Sequence, residues 1–189
     1  MATGTRTLST AEDRREAVLR AGMKVVAERG ISGTPTAEVA KAAGISHAYL
    51  FRLFATKNDL AVAIVRRANQ RVYDAFAAAA ASVNGSGEEK LHAMGLAYEE
   101  LLADRELLLV QLHSHAAAAD NPAIRAAARE CFERLVELVE RESGADAVTV
   151  GRFFATGMLM NVMAALDAPS TGSHWAEVLA GYCMSDDTP

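Results

Sequence analysis

Proline is scarce in this chain, four in 189 residues, and so is the alternation of β-branched residues that marks half-buried strands. Long alanine-rich stretches run without a helix breaker, which excludes a sheet-based fold and predicts an all-α protein. Cysteine is scarcer still. Cys131 and Cys183 lie far apart in sequence, so no disulfide scaffold and no close-spaced Cys motif is available, and both are expected to be free thiols in a reducing compartment. Bilayer-length apolar runs are also missing. The most apolar stretch, Phe153 to Leu166, has 14 residues and contains Thr156 and Asn161, short of the roughly 18–20 that a membrane span needs. The first residues, MATGTRTLST, lack the apolar core of a signal peptide and read as a flexible arm over 1–9. A cytoplasmic protein with no membrane partner is expected. Paired carboxylates, a nucleophile–base motif and a phosphate-cradling glycine loop are absent too, so no enzyme is expected and no cofactor is called for.

The net charge of −5 hides a division. Residues 1–67 hold eleven Lys/Arg against six Asp/Glu, a net of +5. Residues 68–189 hold eight against eighteen, a net of −10. A basic head on an acidic body suits a phosphate-binding module joined to a regulatory one.

Within the basic part, TPTAEVAKAAGISHAYLFRLFATKNDL (34–60) carries the strongest pattern. Val39, Ala40 and Ala43 give one short helix an apolar face, and Leu50, Leu53 and Phe54 give a second. Gly44 between them suits the left-handed end of a helix, and Ser46 is placed to cap the next. The pattern is a helix-turn-helix, whose second helix enters the DNA major groove. Before it, a first helix is expected from about Ala11 to Arg29, capped by Thr10 or Ser9, with Val18, Ala21, Gly22, Val25 and Val26 as its apolar stripe and Gly30 at its end. Helix two starts either with Pro35 at its first position after Thr34 or with Thr36 as its cap. Helix four opens near Thr56, has Asp59 in its first turn and runs to about Ser82.

Loop chemistry at Asn84–Gly87, Asp120–Pro122, Ser143-Gly144 and 168–172 divides the remainder into five helices, at about 88–104, 105–119, 122–143, 146–166 and 173–184. About nine helices result: a three-helix DNA-binding head over 1–55 and a larger ligand-binding and dimerisation body over 56–189. The terminal SDDTP reads as a frayed tail.

Gly44-Ile45-Ser46, Tyr49-Leu50-Phe51-Arg52-Leu53-Phe54 and Thr56-Lys57-Asn58-Asp59-Leu60, after a first helix ending in Glu28-Arg29-Gly30, resemble the TetR family of bacterial transcriptional regulators. Motif agreement covers about 50 residues of the head; the body agrees in helix count and order, with a general likeness at Phe153–Met158. The resemblance implies a homodimer with two DNA heads on adjacent major grooves of a pseudo-palindromic, double-stranded operator. It also implies an effector cavity in each body, whose occupation tilts helix four and releases the DNA. On that pattern the DNA contacts are Thr36, Ser46, His47, Ala48, Tyr49, Phe51, Arg52 and Lys57. Lys57 meets a phosphate, and His47 and Tyr49 reach base edges or nearby phosphates. Three positions depart from the family. Phe51 stands where tyrosine is usual, Tyr49 replaces a smaller hydroxyl residue, and Ala37 stands where many members carry a guanine-reading arginine. The operator sequence does not follow from precedent.

In the body, His113-Ser114-His115 with His92 invites a metal reading. Residues two apart on a helix point roughly 200° apart, so the pair does not suit one ion, and no metal site is expected. The ligand-binding candidates are His113, Phe132, Phe154, Met158 and Asn161. The dimer-interface candidates are Met163, Trp175, Leu179 and Tyr182, on the last two helices. Leucine, methionine, phenylalanine and alanine dominate the body, which points to a small, largely apolar effector. The function expected is a ligand-responsive repressor. A DNA-binding regulator triggered by a partner protein or by thiol oxidation is the alternative, and a helical enzyme without a sequence signature is the more distant one.

Overall fold

The computed structural model describes residues 11–183. The expected arm over 1–9, the Ser9 or Thr10 cap, the helix end at Met184 and the SDDTP tail lie outside the described residues. Nine α-helices follow in order: α1 (Ala11–Gly33), α2 (Thr36–Ala42), α3 (His47–Leu53), α4 (Lys57–Ser82), α5 (Gly87–Leu102), α6 (Arg105–Ala118), α7 (Pro122–Ser143), α8 (Ala147–Ala165) and α9 (His174–Cys183). A 3-10 turn, Ala168–Thr171, joins the last two, and no strand occurs among the described residues.

Side-chain caps set most helix starts. Ser46 accepts from the Tyr49 N–H at α3. Thr56 and Asp59 form a reciprocal capping box at α4, as Ser86 and Glu89 do at α5. Asp104, Asn121 and Asp146 cap α6, α7 and α8. Helix α2 differs from both expected starts. Pro35 is itself the N-cap, in extended backbone, and Thr36 is the first helical residue. The hydroxyl of Thr36 thereby turns to His47 rather than to a backbone N–H. Gly30 ends the regular run of α1 as expected, and a further turn to Gly33 follows it. It breaks the helical path at φ 72°, ψ 168°, and Ile31 beyond it is buried again. That φ lies in the region glycine tolerates without strain.

The head is closed by Val18, Val26, Val39, Leu50, Leu60 and Ile64, each almost wholly buried. Burying a side chain of this size contributes roughly 1.5–3 kcal/mol, so this cluster holds the short α2 and α3 against α1 and α4. Gly22 lets α1 approach α4 closely, because a Cβ there would sit 2.5 Å from Ile64 Cδ1. The core continues without a gap into the body through Ala68, Val72, Phe76, Leu91, Met94 and Leu107. Helix α1 packs along α6, and α4 packs on α7 and α5, so two long helices join the DNA-facing end to the body. Helices α8 and α9 close a second, smaller cluster of Met163, Ala168 and Ala176.

Helix α8 is longer than its 14-residue apolar core, because it begins at the Asp146 cap and takes in Ala147–Val150. Over Ala147–Ala165 its mean hydropathy is 1.3, which by length and composition alone is enough to cross a membrane. It rests against α5, α6 and α7 of its own chain.

Candidate nucleic-acid interface and ligand cavity

Helix α3 turns Leu50 and, at its C-cap, Phe54 into the core, which leaves His47, Ala48, Phe51 and Arg52 exposed on the opposite face. Phe51 retains 39 % exposure, a large apolar ring held in water. These exposed side chains are positioned by neighbours. His47 Nε2 lies 2.8 Å from Thr36 Oγ1, tying the starts of α2 and α3 together, and its ring meets the edge of Phe51 at 5.0 Å. Tyr49, half-buried, receives a hydrogen bond from an Arg14 guanidinium nitrogen at 3.4 Å. Its ring carries Arg14 at 5.5 Å and Arg52 at 5.7 Å from the centroid. Arg15 donates to the Leu53 carbonyl at 2.9 Å and lies over Phe54, which holds the C-terminal end of α3. Lys57 Nζ donates to the Ser32 carbonyl at 2.9 Å, so the ammonium sits between the start of α4 and the end of α1. Lysine has three donor protons, and this bond uses one.

The other concave feature is a cavity of about 1080 Å³ in the body, walled by α4, α5, α6, α7 and α8 and touched by Cys183 of α9. Phe76, Phe132, Phe153 and Phe154 supply much of its apolar wall, with ring centroids 5.5–6.2 Å apart in edge or tilted contacts. One side is polar. Asn161 Nδ2 donates to Tyr98 Oη at 2.5 Å, and Tyr98 donates to Gln111 Oε1 at 3.4 Å. Burial outweighs both bonds and pushes the Tyr98 phenol above its usual range, so it remains a donor at neutral pH. Two buried atoms on this side, Asn161 Oδ1 and Thr156 Oγ1, have no hydrogen-bond partner. His115 lies on the wall beside Phe132, and burial holds its imidazole below the usual 6.5, favouring the neutral form. Burial also raises both thiols, Cys131 and Cys183, which disfavours thiolate.

The three histidines of the metal reading separate. His92 and His115 border the cavity, while His113 packs beneath the Gly30 kink, where a Cβ would meet its Nδ1 at 3.4 Å. Among the described residues no three His, Cys, Asp or Glu side chains come together to hold a metal ion.

Residues 18–64 match the family model described as bacterial regulatory proteins, tetR family. The match runs from the middle of α1 into α4, so the head carries the helix-turn-helix of the tetR regulators over its whole length. Solved structures share the architecture over nearly the full length. A TetR-family regulator from Marinobacter aquaeolei VT8 is 22 % identical at a TM-score of 0.67, covering 91 % of this chain and 94 % of that one. The multidrug binding protein EbrR, solved with imidazole, is 26 % identical at 0.64, with 88 % and 93 % covered. The regulator FadR from Bacillus subtilis, solved with stearoyl-CoA, is 16 % identical at 0.67, with 89 % and 95 % covered. No curated protein sequence matches the chain.

In the body, Phe132, Phe154, Met158 and Asn161 line the cavity, and His113 does not. Two residues along α6 turn the helix by roughly 200°, so the side chain at the cavity is His115. Of the dimer candidates, Trp175 and Tyr182 are exposed. Met163 is buried against Ala168 and Ala176 of its own chain, and Leu179 packs partly into the same cluster. Their neighbours Val162 and Val178 face outward instead. Arg14, Tyr98, Gln111 and Thr156 escaped the sequence reading. Arg14 looks like any solvated helix charge, and the other three are joined only by tertiary packing of α5, α6 and α8.

Proposed function

We propose that this regulator is a homodimeric repressor that leaves a pseudo-palindromic operator when a small, largely apolar effector fills the body cavity. The observation that carries the reading is the path of α4. Lys57, beside the recognition helix, and Val72 and Phe76, in the cavity wall, belong to one unbroken helix. Nineteen residues at about 1.5 Å each place the two ends of that path roughly 28 Å apart. An effector that prefers one tilt of α4 changes head spacing by its differential affinity for the two states.

The proposed DNA contacts are Thr36, Ser46, His47, Ala48, Tyr49, Phe51, Arg52 and Lys57, with Arg14 added by its place against Tyr49. Arg52 and Lys57 offer charge to phosphates; His47, Tyr49 and Phe51 offer the surface that reads bases, Phe51 by contact with a thymine methyl. The proposed dimer interface is the outer side of α8 and α9. Val148, Gly151, Ala155, Met158, Val162 and Leu166 recur at helical spacing along α8 and are all exposed, and Trp175, Val178 and Tyr182 do the same on α9. Two copies covering these stripes make a four-helix bundle, which accounts for the apolar length of α8 without a membrane and fits a cytoplasmic protein. The head over 1–55 then serves as the reading unit and 56–189 as the sensing and pairing unit.

Selection of bound fragments from genomic DNA, followed by retention assays in an effector screen, tests the proposal. Recovery of a two-fold symmetric site, with release by a compound that also raises the melting temperature, is expected. Compounds that bind the cavity and never alter DNA retention would overturn the coupling.

A further inference from the structure

The cavity wall carries information about charge and hydrogen bonding beyond its being apolar. Among the described residues no Lys or Arg lines it; the carboxylates at its border are Glu88, Glu89 and Glu99. The buried imidazole of His115 favours its neutral form, so that side chain adds no positive charge to the wall at neutral pH. An anionic ligand would lose its hydration and find three carboxylates at the border with no lysine or arginine to offset its charge. At the polar side, the donor chain from Asn161 through Tyr98 to Gln111 runs in one direction, and it leaves the Asn161 carbonyl a buried acceptor without a partner among the described residues. Asn161 is 1 % exposed and Thr156 7 %, so water outside the protein does not serve them. Buried polar groups are ordinarily paired, and an amide carbonyl with none is a place for a ligand's donor.

We propose that the cavity takes an aromatic molecule that carries an N–H or O–H donor and no negative charge, the donor bonding Asn161 Oδ1 with Thr156 Oγ1 as a second polar anchor. The inference rests on the reading of this cavity as the effector site and names the chemistry of the effector. The phenyl rings of Phe132 and Phe154 supply the surface for the flat part of the molecule, and Tyr98 fixes the amide of Asn161 so that its carbonyl stays turned to the ligand. Recognition is then set by one hydrogen bond and by the sign of charge, over a large and otherwise tolerant apolar wall.

Three probes of one shape test it: 2-aminoanthracene, 2-methylanthracene and anthracene-2-carboxylate, titrated by fluorescence anisotropy against the full chain. The amine should bind roughly tenfold more tightly than the methyl compound, the ratio expected for one bond to an otherwise unpaired buried acceptor, and the carboxylate should bind worst. Asn161→Leu should bring the amine down to the methyl compound without weakening the latter, and Thr156→Val, which keeps the side-chain shape, should narrow the ratio part of the way. Melting curves establish that each variant is folded; if Asn161→Leu is not, Thr156→Val alone decides. An amine-to-methyl ratio unchanged in the folded variants, a carboxylate that binds as tightly as the amine, or binding of none of the three would overturn the proposal. DNA retention is read separately. If the amine binds through Asn161 but the operator is not released, the recognition stands and the switch reading fails. If release comes from compounds that do not displace the amine, the switch reading stands and this inference fails.

Discussion

On the outer face of the head, His47, Tyr49 and Lys57 each hold a partner within the chain: Thr36, Arg14 and the Ser32 carbonyl. In the cavity, Asn161 Oδ1 and Thr156 Oγ1 are buried and hold none. The first surface is set before anything arrives. Its side chains are oriented by exposed bonds that exchange easily with phosphate or water, so little ordering cost remains for docking. The second is incomplete until it is filled, and its unpaired atoms make occupancy itself favourable. On the proposed function, one region reads a ligand that is always the same shape, a duplex, while the other waits for a ligand that completes it.

The contrast can be broken most forcefully at the head's core. Leu50→Ala, at a fully buried position in the core of the head, should cost about 2–5 kcal/mol in urea or thermal unfolding, and specific DNA binding should fall with it. Phe154→Ala, on the cavity wall and half-buried, should cost much less stability while weakening aromatic ligands; equal losses at the two sites would erase the distinction between a packed and an open region. Lys57→Ala should weaken binding to all DNA sequences alike and lower the salt slope by about one, read from affinity over a salt series. An unaltered slope would remove Lys57 from the phosphate contacts. The body is also the side that should feel acid through its wall. His115 has a folded pKa below its unfolded value, so its contribution is present above pH 6.5 and is lost as pH falls through and below that value. His115→Gln should therefore flatten the decline of melting temperature on the acid side, and an unchanged decline would assign it to other groups. The smallest effect belongs to the thiols. Both are protonated by burial, so serine at Cys131 and Cys183 should leave the response of DNA binding to peroxide unchanged, and a lost response would revive the thiol-triggered alternative.

The helix order was readable because each start carries its own chemistry: Ser46, Thr56, Asp104, Asn121 and Asp146 all cap where their residue type suggests. Pro35 misled because proline suits both the cap and the first turn, and the choice was made by Thr36 turning to His47, eleven residues away. The faces of α6 and α8 were harder. Their apolar residues run almost all round, so periodicity does not separate His113 from His115, or Met163 from Val162; contact with α1 in one case and α9 in the other makes the assignment. Helix assignment placed a cut between residues 55 and 56, and the charge division one between 67 and 68. The buried core passes through both points, since α1 lies along α6 and no sequence pattern announces a contact between elements so distant.

Three polar contacts along α4 and α7 share nearly the same offset. Asn121 donates to Asn58, Arg66 pairs with Glu130, and Arg134 donates to Gln70, which are separations of 63, 64 and 64 residues. The two helices thus run side by side like a pair of matched racks. Each tooth is exposed and individually weak, so together they set registration rather than strength. A slide of less than one turn, about 5.4 Å, would leave every tooth facing a gap, whereas a rocking motion about the row keeps them meshed. If an effector acts through α4 as proposed, the body swings its DNA-facing lever rather than pushing it, and the signal arrives as a change of angle.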